Sequence, residues 1–327
     1  MTQTAPSKIA GKSIGTVGYG LMGFTQWHGT PFEEAIEVMK AALESGSNFW
    51  NAGTFYGPPD RNSLHLLHAY FTKYPTDAAK VVLSLKGAYD GSTHTPDCSP
   101  QGIRSSVEES LAILKGVKSI DLFECARVDP NVPLETSVKT LAELIKEGKI
   151  GTYGLSEVSA DTVRKAHAIH PVSAVEIELS LFSRHALENG TIKTCQDLGI
   201  PVVGYSPLDR GWLTGQLKKL SDLPKNDYRH HMPRFQSGAF EKNVLLAEKI
   251  EGIAERKGVT APQVAIGWVV KQGVVPIPGS TTTKRVQENA KAAELTEGEL
   301  EEIRGFVEEF GVAGERYPEV LQGHLNG

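Results

Sequence analysis

Eight times along this chain a short β-rich run gives way to an amphipathic stretch with helical spacing. "SIGTVGYG" leads into "TPFEEAIEVMKAALESG", which starts at Thr30-Pro31, places acids in its first turn and stops at Gly46. "NFWNA" precedes a helix expected from about Asp60 to Phe71, and "KVVLSLKG" precedes "SPQGIRSSVEESLAILKG", with Val107, Leu111 and Leu114 on one face. "SIDLFECARVD" is followed by "VPLETSVKTLAELIKEGKI", "IGTYGLS" by a helix from Ser159 to about Ile169, and "SAVEIELS" by a helix ending at Leu198. "IPVVGYSPL" leads through a long segment, Asp209 to about Gln236, to "EKNVLLAEKIEGIAERKG" and a shorter helix after "TAPQ". "VVPIPG" and a helix from Thr283 close the series.

Repeated β–α alternation implies a parallel sheet, and eight units imply its closure into an α/β fold of the (β/α)8 TIM-barrel type. No composition break marks a domain boundary. The expectation is one barrel domain over 1–327, with a long surface loop at about 209–236 and a C-terminal helix and tail at about 296–327. A doubly wound open sheet is the competing architecture. It advertises a Gly-rich turn that opens a helix directly. Gly18, Gly20 and Gly23 form only a loose version, running through Phe24-Thr25 into a loop.

The formal charge of −5 argues against nonspecific binding to nucleic acid or anionic membranes. Cys98, Cys125 and Cys195 have no short metal-ligand spacing, so no metal site is expected and a reduced, cytoplasmic setting is the simpler reading. No run approaches the length of a membrane span.

In such a barrel the chemistry lies where strands end. Tyr56 follows the second strand there and Lys86 ends the third. A phenol with a pKa near 10 is a poor acid or base at neutral pH unless a cation supports its phenolate, and a lysine on the next strand is placed to do that. Phe24, Trp27, Phe55 and Tyr89 fall in loops after the first three strands, either as walls for a planar substrate or as framework aromatics.

"NAGTFYG" resembles the signature of the aldo-keto reductases, and the resemblance runs from about Ser13 to Asn289 through "SLKG", "GLSE", "YSPLDRG" and "IPGSTTTKRVQEN". It implies carbonyl reduction with NADPH, with Tyr56 as proton donor and Lys86 tuning it. Tyr205 would stack on the nicotinamide, with Ser156 and Glu176 near its carboxamide. The backbone of Ser206 to Leu208 would lie along the pyrophosphate. Ser280 and Arg285 would hold the 2′-phosphate, and Glu288 and Asn289 would contact adenine. A guanidinium fork suits a phosphate monoester, and "GSTTTKR" adds hydroxyls and a helix start.

The departures from that family are equally informative. Asn51 stands where an aspartate partner of the lysine is usual, so Lys86 is expected to lack a carboxylate; it would press the Tyr56 pKa downward while its own charged form loses support, and the sequence leaves the net effect open. Ala126, in "ECARVDP", stands where a histidine is usual, and Glu157 and Glu176 replace an Asn and a Gln. "WNAG…Y" together with "CARVD" resembles the fungal pyridoxal reductases of vitamin B6 metabolism. This implies reduction of pyridoxal to pyridoxine, with Ala126 making room for the ring and the substrate's own phenolic hydroxyl partly replacing the histidine donor. Two alternatives stay open. One is a cofactor-holding module similar to the barrel β-subunits of potassium channels, and the other is a reductase of another aldehyde or ketone. The partner is a small molecule in the enzyme readings, and the sequence leaves the oligomeric state open.

Overall fold

A computed structural model describes residues 5–26, 29–319 and 327. Eight parallel strands form one sheet: β1 (Tyr19–Gly20), β2 (Phe49–Gly53), β3 (Val82–Gly87), β4 (Leu122–Cys125), β5 (Thr152–Ser156), β6 (Val175–Glu178), β7 (Val202–Tyr205) and β8 (Val274–Pro276). They lie in sequence order, and a parallel bridge between Gly20 and Gly279 joins the last strand's exit to the first. A Cβ on Gly20 would sit 3.0 Å from the Ile277 carbonyl oxygen, so the seam closes on a residue without a side chain.

The strand pattern with period two builds the interior in layers. At the bottom, Phe49, Val82, Leu122, Ala174, Val203 and Val275 form an apolar cluster capped by Ile9 from an N-terminal hairpin, Lys8–Ile9 with Lys12–Ser13. Two residues further along the strands the interior turns polar, with Asn51, Ser84, Glu124 and Glu176 all buried. The intervening residues, among them Trp50, Leu83, Phe123, Tyr153 and Ile177, join the main core.

The helices bear out the sequence pattern, with shifts at their ends. Helix α1 (Phe32–Glu44) runs from Pro31 to the turn at Gly46 (φ 90°). Helix α2 (Ser63–Lys73) begins later than expected because Asn62 caps it, accepting from the Leu64 N–H at 3.0 Å. Helices α3 (Pro100–Leu114), α4 (Leu134–Lys146), α5 (Ala160–Ile169) and α6 (Thr191–Asp197) follow strands three to six. Helices α7 (Ala239–Lys257) and α8 (Ala261–Lys271) precede the last strand, and α9 (Thr283–Asn289) and α10 (Glu297–Phe310) follow it.

The segment from Asp209 to Gln236 is not simply a surface loop. It is a chain of short 3-10 turns whose Trp212 is fully buried between Phe182 (5.8 Å between ring centroids) and Phe235 (4.9 Å). Its Asp209 and Arg234 are also buried. A composition rich in Lys, Arg and His hides these anchors.

Candidate active site

Tyr56 enters the mouth of the barrel from the turn that follows β2. Gly53 makes this possible, since a Cβ there would sit 3.1 Å from three atoms of the Tyr56 ring. The backbone is pinned as well, because the Tyr56 carbonyl accepts from Thr25 Oγ1 at 2.6 Å and from the Ser63 N–H at 3.0 Å. The Lys86 ammonium lies 5.5 Å from the Tyr56 ring centroid and 5.6 Å from that of Tyr205. The two side chains that the sequence places at neighbouring strand ends therefore lie side by side, and Tyr205 joins them.

The lysine is not without a carboxylate. Glu176, reaching in from β6, forms a buried ion pair with Lys86. Its second oxygen accepts from Asn51 Nδ2 at 2.6 Å, and Asn51 also approaches Ser84 Oγ at 3.3 Å. Below them Glu124 receives a long contact from Ser84 Oγ (3.4 Å), while its other oxygen has no partner. Burial opposes the Lys86 charge, but Glu176 outweighs it and the lysine pKa is raised. Burial, reinforced by the Glu176 charge, pushes the Glu124 pKa well above the usual carboxylate range, which favours its neutral form. Burial raises the Tyr56 phenol pKa, with Lys86 pulling the other way and Glu176 adding to the rise, so the direction that the sequence left open is upward.

A second charged cluster sits at the rim. Arg316, from the tail after α10, donates to Glu178 (2.8 Å), Glu157 (2.9 Å), His185 Nε2 (2.5 Å) and the Tyr205 hydroxyl (3.3 Å). Arg210 donates to the other oxygen of Glu178 at 2.9 Å, and Arg234 forks onto both oxygens of Asp209 at 3.0 Å. Burial would lift the Glu178 pKa, but Arg210, Arg316 and Arg234 hold it down at about 2. Burial and the Arg316 charge lower the pKa of His185.

The residues expected to hold a dinucleotide ring the same mouth. Ser156 Oγ is buried and has no partner in the chain, as befits an atom meant for a ligand amide. Glu157 and Ser206, at the exits of β5 and β7, both take the left-handed backbone (φ 52°), where non-glycine residues are strained. Leu208 is half-buried beyond them. Arg285 is exposed, touched by Gln216 Oε1 at 3.1 Å, and Ser280 lies three residues before α9 with its hydroxyl facing the Thr282 N–H at 3.3 Å. Glu288 accepts from Thr260 Oγ1 at 3.0 Å, and Asn289 is buried.

On the substrate side, Phe55 packs against Tyr56 (5.0 Å) and Tyr89 (4.9 Å). Ala126 is buried, bonded through its N–H to Gly87 O at 3.0 Å. Phe24 is buried edge-on to Tyr19 (6.2 Å), and Trp27 lies outside the described residues. Sequence reasoning overlooked Glu124 and Arg316. Glu124 had a signal, an acid two positions before Ala126 on a strand of alternating pattern. Arg316, in a tail without periodicity, had none. No group of three or more His, Cys, Asp or Glu among the described residues could hold a metal ion, and none of their helices is long and apolar enough to cross a membrane.

A closed eight-stranded parallel barrel with a tyrosine and a lysine meeting at its C-terminal mouth defines the class, and sequence comparison agrees. The model of the Aldo/keto reductase family matches residues 16–308, so the chain belongs to that family. It is 41% identical to "Probable pyridoxal reductase 2" of Schizosaccharomyces pombe, over 97% of this chain and 99% of that protein. It is 37% identical to a Saccharomyces cerevisiae protein provisionally named a pyridoxal reductase, over 92% of this chain and 95% of the other. Among solved structures, a glycerol dehydrogenase from Gluconobacter oxydans superposes with a TM-score of 0.83 at 25% identity, covering 95% of this chain and 96% of that one.

Proposed function

We propose that the protein reduces pyridoxal to pyridoxine with NADPH, with Tyr56 as the proton donor. The observation that carries this reading is the buried Tyr56 phenol beside the ion-paired Lys86 at the barrel mouth. Similarity to the two fungal proteins supports the choice of substrate. When bound, the reduced nicotinamide supplies the hydride that the aldehyde carbon accepts. Tyr56 gives its proton to the carbonyl oxygen, and the ammonium of Lys86 stabilises the phenolate left behind until solvent reprotonates it. Ala126 leaves space beside the carbonyl for the pyridine ring, Phe55 and Tyr89 offer it an aromatic wall, and the ring's own hydroxyl supplies the second donor.

The test is NADPH oxidation with pyridoxal, for wild type and Tyr56→Phe together. The variant is expected to lose about 10²–10⁴-fold in kcat, the usual worth of a positioned acid, while still binding NADPH. Tight NADPH binding without turnover of pyridoxal or of simple aldehydes by the wild type would favour the cofactor-holding module instead. Arg285 supports the choice of NADPH over NADH. Arg285→Met should weaken NADPH binding roughly 10- to 100-fold, the worth of a charge-assisted bond to phosphate, and leave NADH binding unchanged in a fluorescence titration.

A further inference from the structure

The polar layer under the reacting groups carries an assignment that the strand-end pattern does not. We propose that Glu176 is the positioning residue that holds Lys86 as a cation beneath Tyr56, and that Asn51 and Glu176 form one unit in which amide and carboxylate are interchangeable between β2 and β6. The role given to Glu176 rests on the reading of Tyr56 as proton donor.

Three observations lead there. Both oxygens of Glu176 are engaged inside the barrel, one by Lys86 and one by Asn51 Nδ2 at 2.6 Å, so the carboxylate is committed to the lysine side of the mouth. Its neighbour on β5, Ser156, keeps a buried hydroxyl without a partner, which leaves an amide-binding group available that is not Glu176. The groups that act on the ammonium are Tyr56 after β2, Glu124 on β4, Glu176 on β6 and Tyr205 on β7. Of the two carboxyls, Glu176 is the one that bonds the ammonium, so the geometry makes it the counterion.

A buried lysine without a counterion sheds its proton readily. A neutral amine could not stabilise a phenolate, and without its ion pair it would drift from its place under the tyrosine. Asn51 completes the device by satisfying the second carboxylate oxygen, which would otherwise be a buried unpaired acceptor. Exchanging the two residues, aspartate on β2 and glutamine on β6, conserves one carboxylate, one amide and the hydrogen bond between them.

The experiment compares Glu176→Gln, Asn51→Asp and the double variant Asn51→Asp/Glu176→Gln. For Glu176→Gln, kcat with pyridoxal is expected to fall roughly 100-fold, the usual cost of a displaced reacting group. The NADPH dissociation constant from fluorescence titration should stay within about threefold, and a new loss of activity should appear as pH rises below about 10, where the lysine now titrates. The double variant should recover to within about tenfold of wild type and lose the new alkaline limb, whereas Asn51→Asp alone, with three carboxyls around one lysine, should not match wild type.

A Glu176→Gln variant that weakens NADPH binding and spares kcat would overturn the proposal in favour of a carboxamide contact. A double variant no better than Glu176→Gln would overturn it as well. Lysine NMR on the wild type adds a readout that needs neither turnover nor a variant that folds. Lys86 is expected to stay charged to above about pH 10, and titration well below that value would sink the assignment. If wild type fails to reduce pyridoxal but Lys86 stays charged, the proton-donor reading falls while the ion-pair assignment survives.

Discussion

The upper half of the barrel holds two buried charge clusters that are balanced in opposite ways. In the inner layer a single cation, Lys86, faces two carboxyls, Glu176 and Glu124. At the rim Arg210, Arg234 and Arg316 face Glu157, Glu178 and Asp209. The surplus of acid inside is resolved by keeping a proton on Glu124, and the matched rim keeps Glu178 ionised with a pKa of about 2. The cation types fit this division. Each rim arginine offers a rigid fork that can satisfy several oxygens at once, whereas the inner lysine is a compact charge that can also face a phenol. The rim is therefore built to hold segments together, and the inner layer to keep one charge in one place.

The two clusters should also respond to pH in opposite directions. Glu178 has a folded pKa below its unfolded one, so its contribution is present above about pH 4.5 and is lost as pH falls through about 2. Glu124 has a folded pKa above its unfolded one. Its contribution is full below about pH 4.5 and is lost as pH rises from there.

The largest effect should come from breaking the rim. Arg316→Met strips a guanidinium from two carboxylates that are themselves fully buried, and losing one partner of such a group costs about 3–5 kcal/mol. Urea denaturation should show that loss at pH 7, and the gap between variant and wild type should narrow between about pH 5 and pH 2 as Glu178 takes up a proton in the variant. A gap that ignores pH would mean that the stacking of the guanidinium over the Tyr317 ring (5.4 Å) matters more than its ion pairs. The rim would then no longer contrast with the interior in the way described.

The two clusters also differ in how far the sequence disclosed them. The barrel was legible because alternating strands and amphipathic helices have separate periods, and Tyr56 and Lys86 were legible because they end strands. Asn51 and Glu176 were both visible as departures, yet their union was not: β2 and β6 lie on opposite sides of the barrel, 125 residues apart in the chain. Only closure brings them together. The rim was less visible still. Arg210 and Arg234 lie in a segment whose composition reads as solvated, and Arg316 lies in a tail with no period at all. Long-range pairing of charges leaves no local trace, so an ion pair across a barrel reads from sequence as two unrelated oddities.

A smaller effect decides which inner carboxyl is ionised. Glu124→Gln replaces the acid with a neutral amide of similar shape, whose oxygen can keep the Ser84 contact. Wild type must hold a proton on Glu124 that the unfolded chain releases above about pH 4.5, so its stability is eroded as pH rises. The variant has no such proton to hold. Its melting temperature should match wild type near pH 4 and exceed it at pH 8, by roughly 2–4 °C for each kcal/mol relieved. Its kcat should change little, because Glu176 still faces Lys86. The opposite result would be as informative. A variant less stable at pH 8 and slow in reduction would put the negative charge on Glu124, with Glu176 carrying the proton. Lys86 would then be held from β4, and the inner layer would depend on the residue that ordinary strand alternation had hidden.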